Sequence, residues 1–486
     1  MAKSKHRLFQ AVLYCCAMSL RLLVAASLVA AVHGQSKRPP RANRTFVSKY
    51  IDEMIDKLTA RMREKDPVIA DMFGNCLPNT LDTTVLFHGV DPEGLPDTFI
   101  ITGDIHAMWL RDSTNQVLPY IRFVDKDPAL DVMLQGLVRR QTKSVLIDSF
   151  ANAFNFDGSK PSPWASDIRH PNMTNAVYEG KYEMDSLAAF LKLSRSYWRH
   201  SNNSTIFDGR WQRAVKKVIS TIQVMQAGID EYASNPPYKF QRDTYAPTDT
   251  LILHGLGPPG ASCGLSRSPF RPSDDSTLLP FLVPANAMAA VELRHVSLMC
   301  REIGCEDTLT RSLGSLAEEL SSAVHLHASS AEGFAYEVDC YGNSVYMDDA
   351  NVPSLLSLPY LGFVDSSDPQ YLVTRQRVLS DKNPYFFRGS GGEGVGGPHV
   401  GYGYIWPMSI AMRALTSTTE LEVQWCLDML KATTNSTGFM HESFWKDDPG
   451  KFTRPWFAWA NSLFGELILM VADRFPSLIF KAEVLA

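Results

Sequence analysis

Acidic, cationic and aromatic side chains crowd together in five segments of this chain. The first segment alone contains Asp104, His106, Trp109, Arg111 and Asp112. Indole rings offer flat apolar faces that can stack on the C–H faces of sugars. Carboxylate, guanidinium and imidazole groups offer directed hydrogen bonds to neighbouring hydroxyls. The five segments are 102–114, 270–276, 336–339 with 347–353, 396–406, and 440–459.

Carboxylates in two distant segments suit acid–base cleavage of a glycosidic bond. Asp274 and Asp275 stand close to Arg271, and Glu442 follows His441. Two carboxyl groups on opposite sides of a glycosidic bond supply a general acid and a general base. The chain contains no Gly-x-Ser-x-Gly elbow, P-loop or HExxH motif. This argues against the common serine hydrolase, nucleotide-binding and zincin classes.

Most of these segments also have a structural explanation. The pair Arg111–Asp112 could form an internal salt bridge that orients a loop. The pair Asp274–Asp275 could cap a helix predicted to run through 280–299, because acids suit a helix N-terminus. The pair Asp348–Asp349 could form a capping turn. Glu442 is the hardest of these residues to explain by packing.

Weaker chemical signals come from one histidine, from a pair of tryptophans and from the acidic clusters as possible metal ligands. His399 is a single histidine in a loop after Pro398. Trp456 and Trp459, placed three apart on a predicted helix, are expected to be half core and half cleft wall. The acidic clusters lack the Asp-x-Asp-x-Asp-Gly pattern of a calcium loop. We therefore expect no metal and no cofactor.

Helical periodicity dominates the elements that must position these segments. Apolar residues recur at helical spacing in 51–62, 130–138, 211–222 and 309–324. Asp208 is a candidate cap for the third of these helices. Ten to twelve helices, few short strands and no linker within the body predict an all-α toroid, the (α/α)6 barrel or six-hairpin fold, with long functional loops. Further predicted helices are 182–199, 284–299, 420–433 and 456–475, and the predicted strands are 98–102, 238–241 and 334–338.

The N-terminus has the features of a targeting segment. Residues 1–34 combine Lys3, Lys5 and Arg7 with an apolar run over 22–32, which predicts a signal peptide cleaved after Gly34. The alternative is a signal anchor, and only then would the protein contact a membrane. A basic linker over 35–45 and a catalytic domain over 46–486 follow. The formal charge of −5 argues against nucleic acid as a partner.

Glycosylation sequons and cysteines agree with a secreted protein or one in the lumen of the secretory pathway. After residue 34 there are six cysteines, an even number that suits disulfides and allows fifteen pairings. None lies in a Cys-x-x-Cys pair, which argues against zinc and redox motifs. The five sequons begin at Asn43, Asn172, Asn202, Asn203 and Asn435.

The crowded segments together resemble glycoside hydrolase family 125. The resemblance covers about residues 46–475, with its motifs in order. Its motifs are Thr-Gly-Asp-Ile-His-Ala-Met-Trp-Leu-Arg-Asp-Ser-Thr-Asn at 102–115, Arg-Pro-Ser-Asp-Asp at 271–275, Met-Asp-Asp-Ala-Asn-Val-Pro-Ser-Leu-Leu at 347–356, His-Glu-Ser-Phe at 441–444 and Thr-Arg-Pro-Trp-Phe-Ala-Trp-Ala-Asn at 453–461.

The resemblance implies an (α/α)6 barrel and an exo-acting α-mannosidase, chiefly for α-1,6 linkages, that inverts the anomeric centre without a metal. It implies a general acid at Asp274 or Asp275 and a general base at Glu442. It also implies that Arg111 and Asp112 grip the terminal mannose. The partner is then a mannose-containing oligosaccharide or N-glycan. The remaining substrate-binding candidates are Asp104, His106, Trp109, Arg271, Asp349, His399, His441, Arg454 and Trp456.

Two other functions remain open at this point. A catalytically silent mannan-binding protein would keep the cleft, although two acids in separate aromatic segments favour an enzyme. A six-hairpin glycosidase could also act on another sugar such as glucose. Composition does not separate mannose from glucose, and only the resemblance favours mannose.

Overall fold

The computed structural model describes residues 36–481, in which α-helices are the main element. The predicted signal segment, 1–34, lies outside the described residues. Within 36–481 no helix is both long and apolar enough to span a membrane. The helices are α1 (Lys49–Arg63), α2 (Pro67–Cys76), α3 (Asn79–Thr83), α4 (Leu110–Ile121), α5 (Pro128–Ile147), α6 (Met184–Ser201), α7 (Gly209–Val224), α8 (Ile229–Ser234), α9 (Ile252–Gly255), α10 (Val283–Ile303), α11 (Asp307–Ala328), α12 (Leu358–Leu361), α13 (Pro369–Val378), α14 (Pro407–Leu415), α15 (Glu420–Ala432) and α16 (Ala458–Arg474).

Six inner helices and their outer partners make the barrel. Along the inner layer α16 packs on α4, α4 on α6, α6 on α10 and α10 on α12, while α14 packs on α16. Outer helices pair with inner ones, as α11 does with α10 and α15 with α14. Nearly every residue of α10 and α16 is buried in their first four turns, whereas α7 buries one face only. This alternation is the (α/α)6 arrangement that the sequence predicts.

Side-chain caps occur at most of the outer helices but at none of the inner ones; among the outer helices α11 lacks one. The outer helices α2, α5, α7, α13 and α15 begin after Asp66, Asp127, Asp208, Asp368 and Thr419, whose side chains accept hydrogen bonds from the first-turn amides. The six inner helices have no side-chain cap. Their N-termini therefore keep amide donors and a partial positive charge at one end of the barrel.

Short strands join the segments that lead into these inner helices. The sheet β3–β4–β6 connects the segments before α4 and α6, and β15–β16–β17 connects those before α14 and α16. The sheet β8–β11–β12 connects the segments before α10 and α12. The strands are β1 (Val85–Val90), β2 (Pro96–Ile100), β3 (Met108–Trp109), β4 (Ala153–Phe154), β5 (Ile168–His170), β6 (Val177–Glu179), β7 (Lys239–Gln241), β8 (Phe281–Leu282), β9 (Ser329–Ser330), β10 (Gly333–Phe334), β11 (Glu337–Val338), β12 (Ser344–Val345), β13 (Phe386–Arg388), β14 (Glu393–Val395), β15 (Tyr404–Ile405), β16 (Phe444–Trp445) and β17 (Asp448–Phe452).

The structure shows that two interpretations made from the sequence are wrong. Asp274 and Asp275 do not cap a helix, because α10 begins at Val283, eight residues later. They lie in a tight hairpin whose ends, Phe270 and Ser276, form a β-bridge. Trp456 is not on a helix either, since α16 begins at Ala458.

The structure also shows what the predicted linker contacts and how the cysteines pair. Arg38, within the linker, forms ion pairs of 2.7 Å with Asp52 and with Asp82, so its described part lies against the barrel. Among the six cysteines after residue 34, Cys263 and Cys340 form a disulfide. The other four are free thiols: Cys76, Cys300, Cys305 and Cys426.

Candidate active site

A small cavity of about 50 Å³ lies where the segments before the uncapped inner helices meet. Residues that precede or begin five of the six inner helices contribute side chains directly to its wall. The lining residues are Thr102, Ile105, Trp109, Arg111, Asp112, Pro272, Ser273, Asp274, Asn351, His399, Trp406, Glu442, Arg454, Phe457 and Trp459.

Arg111, in the first turn of α4, is the centre of a buried charge cluster below the cavity. Its Nη2 lies 3.3 Å from Asp112 and 3.5 Å from Asp274. Its Nη1 contacts Glu183 and lies 3.3 Å from Asp185. Burial raises the pKa of Asp112 to about 6, although Arg111 opposes that shift. The predicted Arg111–Asp112 salt bridge exists, and both residues also line the cavity.

Asp274 and Asp275 have different surroundings. Asp274 lines the cavity, with 25% of its side chain exposed, and its φ of 69° is left-handed. Asparagine and aspartate are the commonest non-glycine residues in that region, and such residues cluster at functional sites. The Asp275 side chain is 5% exposed, accepts a 2.9 Å hydrogen bond from Ser273 and lies 3.5 Å from Nδ1 of His399. Of the two, Asp274 is the one in position to reach a substrate.

His399 is held between carboxylates on the cavity wall. Burial acts to lower its pKa, but the hydrogen bond and charge of Asp275, followed by the charges of Asp274 and Glu442, raise it to about 9. His399 is therefore a cation at neutral pH. A cation at this position can donate hydrogen bonds to sugar hydroxyls.

Glu442 faces the cavity from the segment before α16. Its Oε2 accepts a 2.7 Å hydrogen bond from the Thr453 hydroxyl, and its Oε1 lies 3.5 Å from Nη1 of Arg454. Nε of Arg454 lies 3.2 Å from the exposed Asp104. These contacts fix one carboxylate on the wall of the same cavity as Asp274.

Residues 66–469 match the family model for metal-independent α-mannosidases, glycoside hydrolase family 125. The chain belongs to this family. It is therefore a glycoside hydrolase, and the resemblance deduced from its motifs is confirmed.

One similar protein and two similar solved structures agree with this family assignment or with the fold. A fission yeast (Schizosaccharomyces pombe) protein, the meiotically up-regulated gene 157 protein, is 41% identical over 92% of this chain and 90% of its own length. A Streptococcus pneumoniae metal-independent α-mannosidase, solved in a non-productive complex with α-1,6-mannobiose, superposes with a TM-score of 0.82. That structure is 37% identical over 88% of this chain and all of its own. A bacterial glucoamylase with a TM-score of 0.53 and 13% identity, over 90% of this chain and 60% of its own, shares the fold.

Seven of the predicted site residues line the cavity of this family 125 protein, and seven do not. His441 is buried, with its ring nitrogens bonded to the carbonyl groups of Thr434, Arg454 and Pro455. His106 is exposed. The lining set is Trp109, Arg111, Asp112, Asp274, His399, Glu442 and Arg454, and the residues outside it are Asp104, His106, Arg271, Asp275, Asp349, His441 and Trp456.

Several of the residues outside the lining support it from behind. Arg271 donates a 2.7 Å hydrogen bond to buried Glu337, which secures the 270–276 hairpin. Asp349 accepts two 3.0 Å hydrogen bonds from Asn351, one from its backbone amide and one from its side chain, and so orients a residue of the lining. The Trp456 ring covers Gly103, where a Cβ atom would lie 2.6 Å from it.

Sequence reasoning did not single out Trp406, Asn351, Glu183 or Asp185 as site residues, and it expected Trp459 only to be half core and half cleft wall. Trp406, Trp459 and Asn351 line the cavity, and Glu183 and Asp185 lie beneath it in contact with Arg111. Asn351 and Trp459 are within the family motifs quoted above. Glu183 and Asp185 fall at the start of a predicted helix, where an acid is normally interpreted as a favourable helix-terminus charge.

One group of metal-ligand residues occurs among the described residues, and it is not a metal site. Single ligand atoms of Cys263, His327 and Cys340 lie within 4.8 Å of one another. Cysteine binds metals as a thiolate, but these two cysteines are joined in a disulfide. Only one imidazole is left to bind an ion.

Proposed function

We propose that this family 125 protein is an exo-acting α-mannosidase of the secretory pathway that removes terminal α-1,6-linked mannose with inversion. The observation that carries the proposal is that Asp274 and Glu442 line the same cavity, although they belong to segments far apart in the sequence. The mannobiose complex of the 37% identical S. pneumoniae enzyme supports the choice of sugar and linkage.

Asp274 is the general acid and Glu442 the general base in this mechanism. Asp274 protonates the glycosidic oxygen as the C–O bond breaks. Glu442 removes a proton from the water that attacks the anomeric carbon from the opposite face. An inverting pair needs roughly 6.5–9.5 Å between its carboxyl groups to leave room for that water. Thr453 and Arg454 hold Glu442 oriented toward the cavity.

Other lining groups bind the terminal sugar. Arg111 and Asp112 present a guanidinium and a carboxylate at the base of the cavity. The rings of Trp109, Trp406 and Trp459 supply flat apolar faces for stacking. Charged and aromatic groups arranged in this way suit a sugar with several neighbouring hydroxyls.

Sugar release tests this proposal directly. The purified protein is incubated with α-1,6-, α-1,3- and α-1,2-mannobiose, and the products are followed by proton NMR. We expect fastest cleavage of the α-1,6 linkage and β-mannose as the first anomer, because inversion of an α-linkage gives a β-product. First formation of α-mannose would contradict inversion. Binding of mannobiose without release of mannose would favour the catalytically silent mannan-binding protein. Cleavage of a matched glucoside in preference to the mannobioses would favour a six-hairpin glycosidase that acts on another sugar.

A further inference from the structure

The backbone of Asp274 has an unusual conformation at the tip of the 270–276 hairpin. Its φ of 69° is left-handed, and a non-glycine residue stays in that region only when its surroundings hold it there. The Asp274 amide donates a 2.9 Å hydrogen bond to the carbonyl oxygen of Arg271, whose own amide donates one of 2.8 Å to the carbonyl oxygen of Asp275. These two bonds close the turn but leave the carbonyl oxygen of Asp274 for another partner.

Lys181 supplies that partner from the segment between β6 and α6. Its Nζ donates a 2.8 Å hydrogen bond to the carbonyl oxygen of Asp274, which accepts no other hydrogen bond among residues 36–481. Only 4% of the Lys181 side chain is exposed. The centroid of the Phe270 ring, at the base of the hairpin, lies 5.2 Å from Nζ. Hydrogen bonds from charged donors are stronger than those between neutral groups, so Lys181 holds the tip of the hairpin firmly.

Buried charges fix the ammonium group of Lys181 in its turn. It contacts Asp249 and lies 3.8 Å from Glu179. Nη1 of Arg242 lies 2.9 Å from Glu179 and 3.1 Å from Asp249. Arg242 also donates hydrogen bonds of 2.9 and 2.7 Å to Asp167. A group whose own position is fixed by such a network can position a neighbour precisely.

The positive charge of Lys181 does not by itself help a general acid at Asp274. Burial acts to raise the pKa of Asp274. The charges of Arg111, Lys181 and His399 are among the influences that oppose burial, and that pKa lies below its ordinary value. A general acid must carry its proton when the bond breaks, so nearby cations make its task harder. The benefit of Lys181 to the mechanism therefore lies in its contact with the backbone.

We propose that Lys181 is a positioning residue for the general acid, which keeps the carboxyl of Asp274 on the cavity wall by holding its backbone carbonyl oxygen. This inference rests on the proposed function. Lys181 does not line the cavity and therefore acts through Asp274. Displacement of a reacting group by about 1 Å can lower a rate by about 10²-fold. The step that depends on Lys181 is protonation of the leaving oxygen, whereas activation of the water depends on Glu442.

Lys181→Met tests the proposal because methionine fills a similar space but has no hydrogen-bond donor. We expect kcat on α-1,6-mannobiose to fall by about 10–100-fold, as for a displaced catalytic group. An aryl α-mannoside with a good leaving group should lose much less, since its leaving oxygen needs little protonation. Equal losses on the two substrates, or a wild-type rate on mannobiose, would overturn the proposal.

Lys192→Met is the matched control for removal of a buried lysine. Lys192 lies in α6 and is 7% exposed. Its Nζ lies 4.6 Å from the centroid of the Tyr360 ring rather than against the hairpin. We expect a lower Tm but the wild-type ratio of kcat values for the two substrates. If Lys192→Met changed that ratio as much as Lys181→Met does, the effect would not be specific to Asp274, and the proposal would fail.

A double variant shows whether Lys181 acts through Asp274. Lys181→Met combined with Asp274→Asn should be no slower than Asp274→Asn alone, because residues that act as a unit are not additive. Multiplied losses would overturn the proposal.

Asp249→Asn gives the same information if Lys181→Met does not fold. This change removes a charge that fixes the ammonium group but leaves Lys181 in place, and the Asp249 side chain is 24% exposed. Its loss of kcat should be smaller than expected for Lys181→Met and should again be greater for mannobiose than for the aryl mannoside. An unchanged ratio of the two rates would contradict the positioning role.

Failure of the proposed function would look different from failure of this inference. A wild-type protein that cleaves no mannoside, or that releases α-mannose first, contradicts the proposed function whatever the variants do. A wild-type protein that inverts, together with equal losses on both substrates in Lys181→Met, overturns the role of Lys181 alone.

Discussion

The Thr453 hydroxyl donates a 2.7 Å hydrogen bond to Oε2 of Glu442. A hydrogen bond to a charged acceptor contributes about 1.5–3 kcal/mol. We expect Thr453→Val to lower kcat by about 10–100-fold, because the carboxylate of Glu442 then loses the donor that orients it. Thr453→Ser keeps the hydroxyl and should stay near the wild-type rate. Steady-state kinetics on α-1,6-mannobiose measure both, and equal rates in the two variants would exclude an orienting role.

Asp274 and Asp275 should respond differently to substitution by asparagine. Asp274→Asn removes the group that faces the cavity, and kcat on mannobiose should fall by about 10²–10⁴-fold. An activated aryl mannoside should be affected much less. Asp275→Asn loosens His399 and should mainly raise KM, to the same extent for both substrates. The opposite pattern would move the general acid to Asp275.

The outer helices α7 and α15 were predictable in their positions because their capping signals are local. Asp208 precedes α7 as predicted, and the helix predicted at 420–433 is observed as Glu420–Ala432. The inner helices α6 and α16 have no side-chain cap to mark where they begin. Their starts were therefore predicted two residues early, at 182 for α6 and at 456 for α16.

Residue types indicated the chemistry of the site but not the direction of each side chain. His441 and Glu442 are adjacent, yet Glu442 lines the cavity and His441 bonds to backbone carbonyl groups. Neighbouring side chains leave the backbone in different directions, and only tertiary packing decides which one faces a substrate. Glu183 was missed for a related reason, since its contact with Arg111 joins residues more than seventy positions apart.

The stability that His399 contributes should decrease as the pH rises. Its folded-state pKa of about 9 is above its ordinary value of 6.5, so the stabilisation is complete below pH 6.5 and is lost as pH rises through 9. Thermal melting of His399→Gln and wild type between pH 6 and 10 checks this. The difference in Tm should be largest at pH 6 and should vanish above about pH 9. The exposed His106→Gln variant is the control and should show no such convergence.

The Cys263–Cys340 disulfide should stabilise the barrel substantially. It closes a loop with a sequence separation of 77 residues, for which chain entropy gives about 4.5 kcal/mol as an upper value. Replacing both cysteines by serine should lower the urea midpoint, whereas Cys305→Ser, at a free thiol, should have little effect. Alkylation of denatured, unreduced protein should leave these two cysteines unlabelled. An unchanged midpoint would show that the bridge adds no stability.

The N-terminal segment and the sequons predict passage through the secretory pathway. Asn43, Asn172, Asn202 and Asn435 are exposed in the folded chain, so each can carry a glycan without unfolding. Protein from a eukaryotic host should shift on a gel after enzymatic deglycosylation, and replacing all five sequon asparagines by glutamine should abolish that shift. Protein sequencing should find Gln35 as the first residue if the signal is cleaved after Gly34. An uncleaved chain that resists alkaline extraction from membranes would favour the anchor, and an unglycosylated cytosolic product would contradict both.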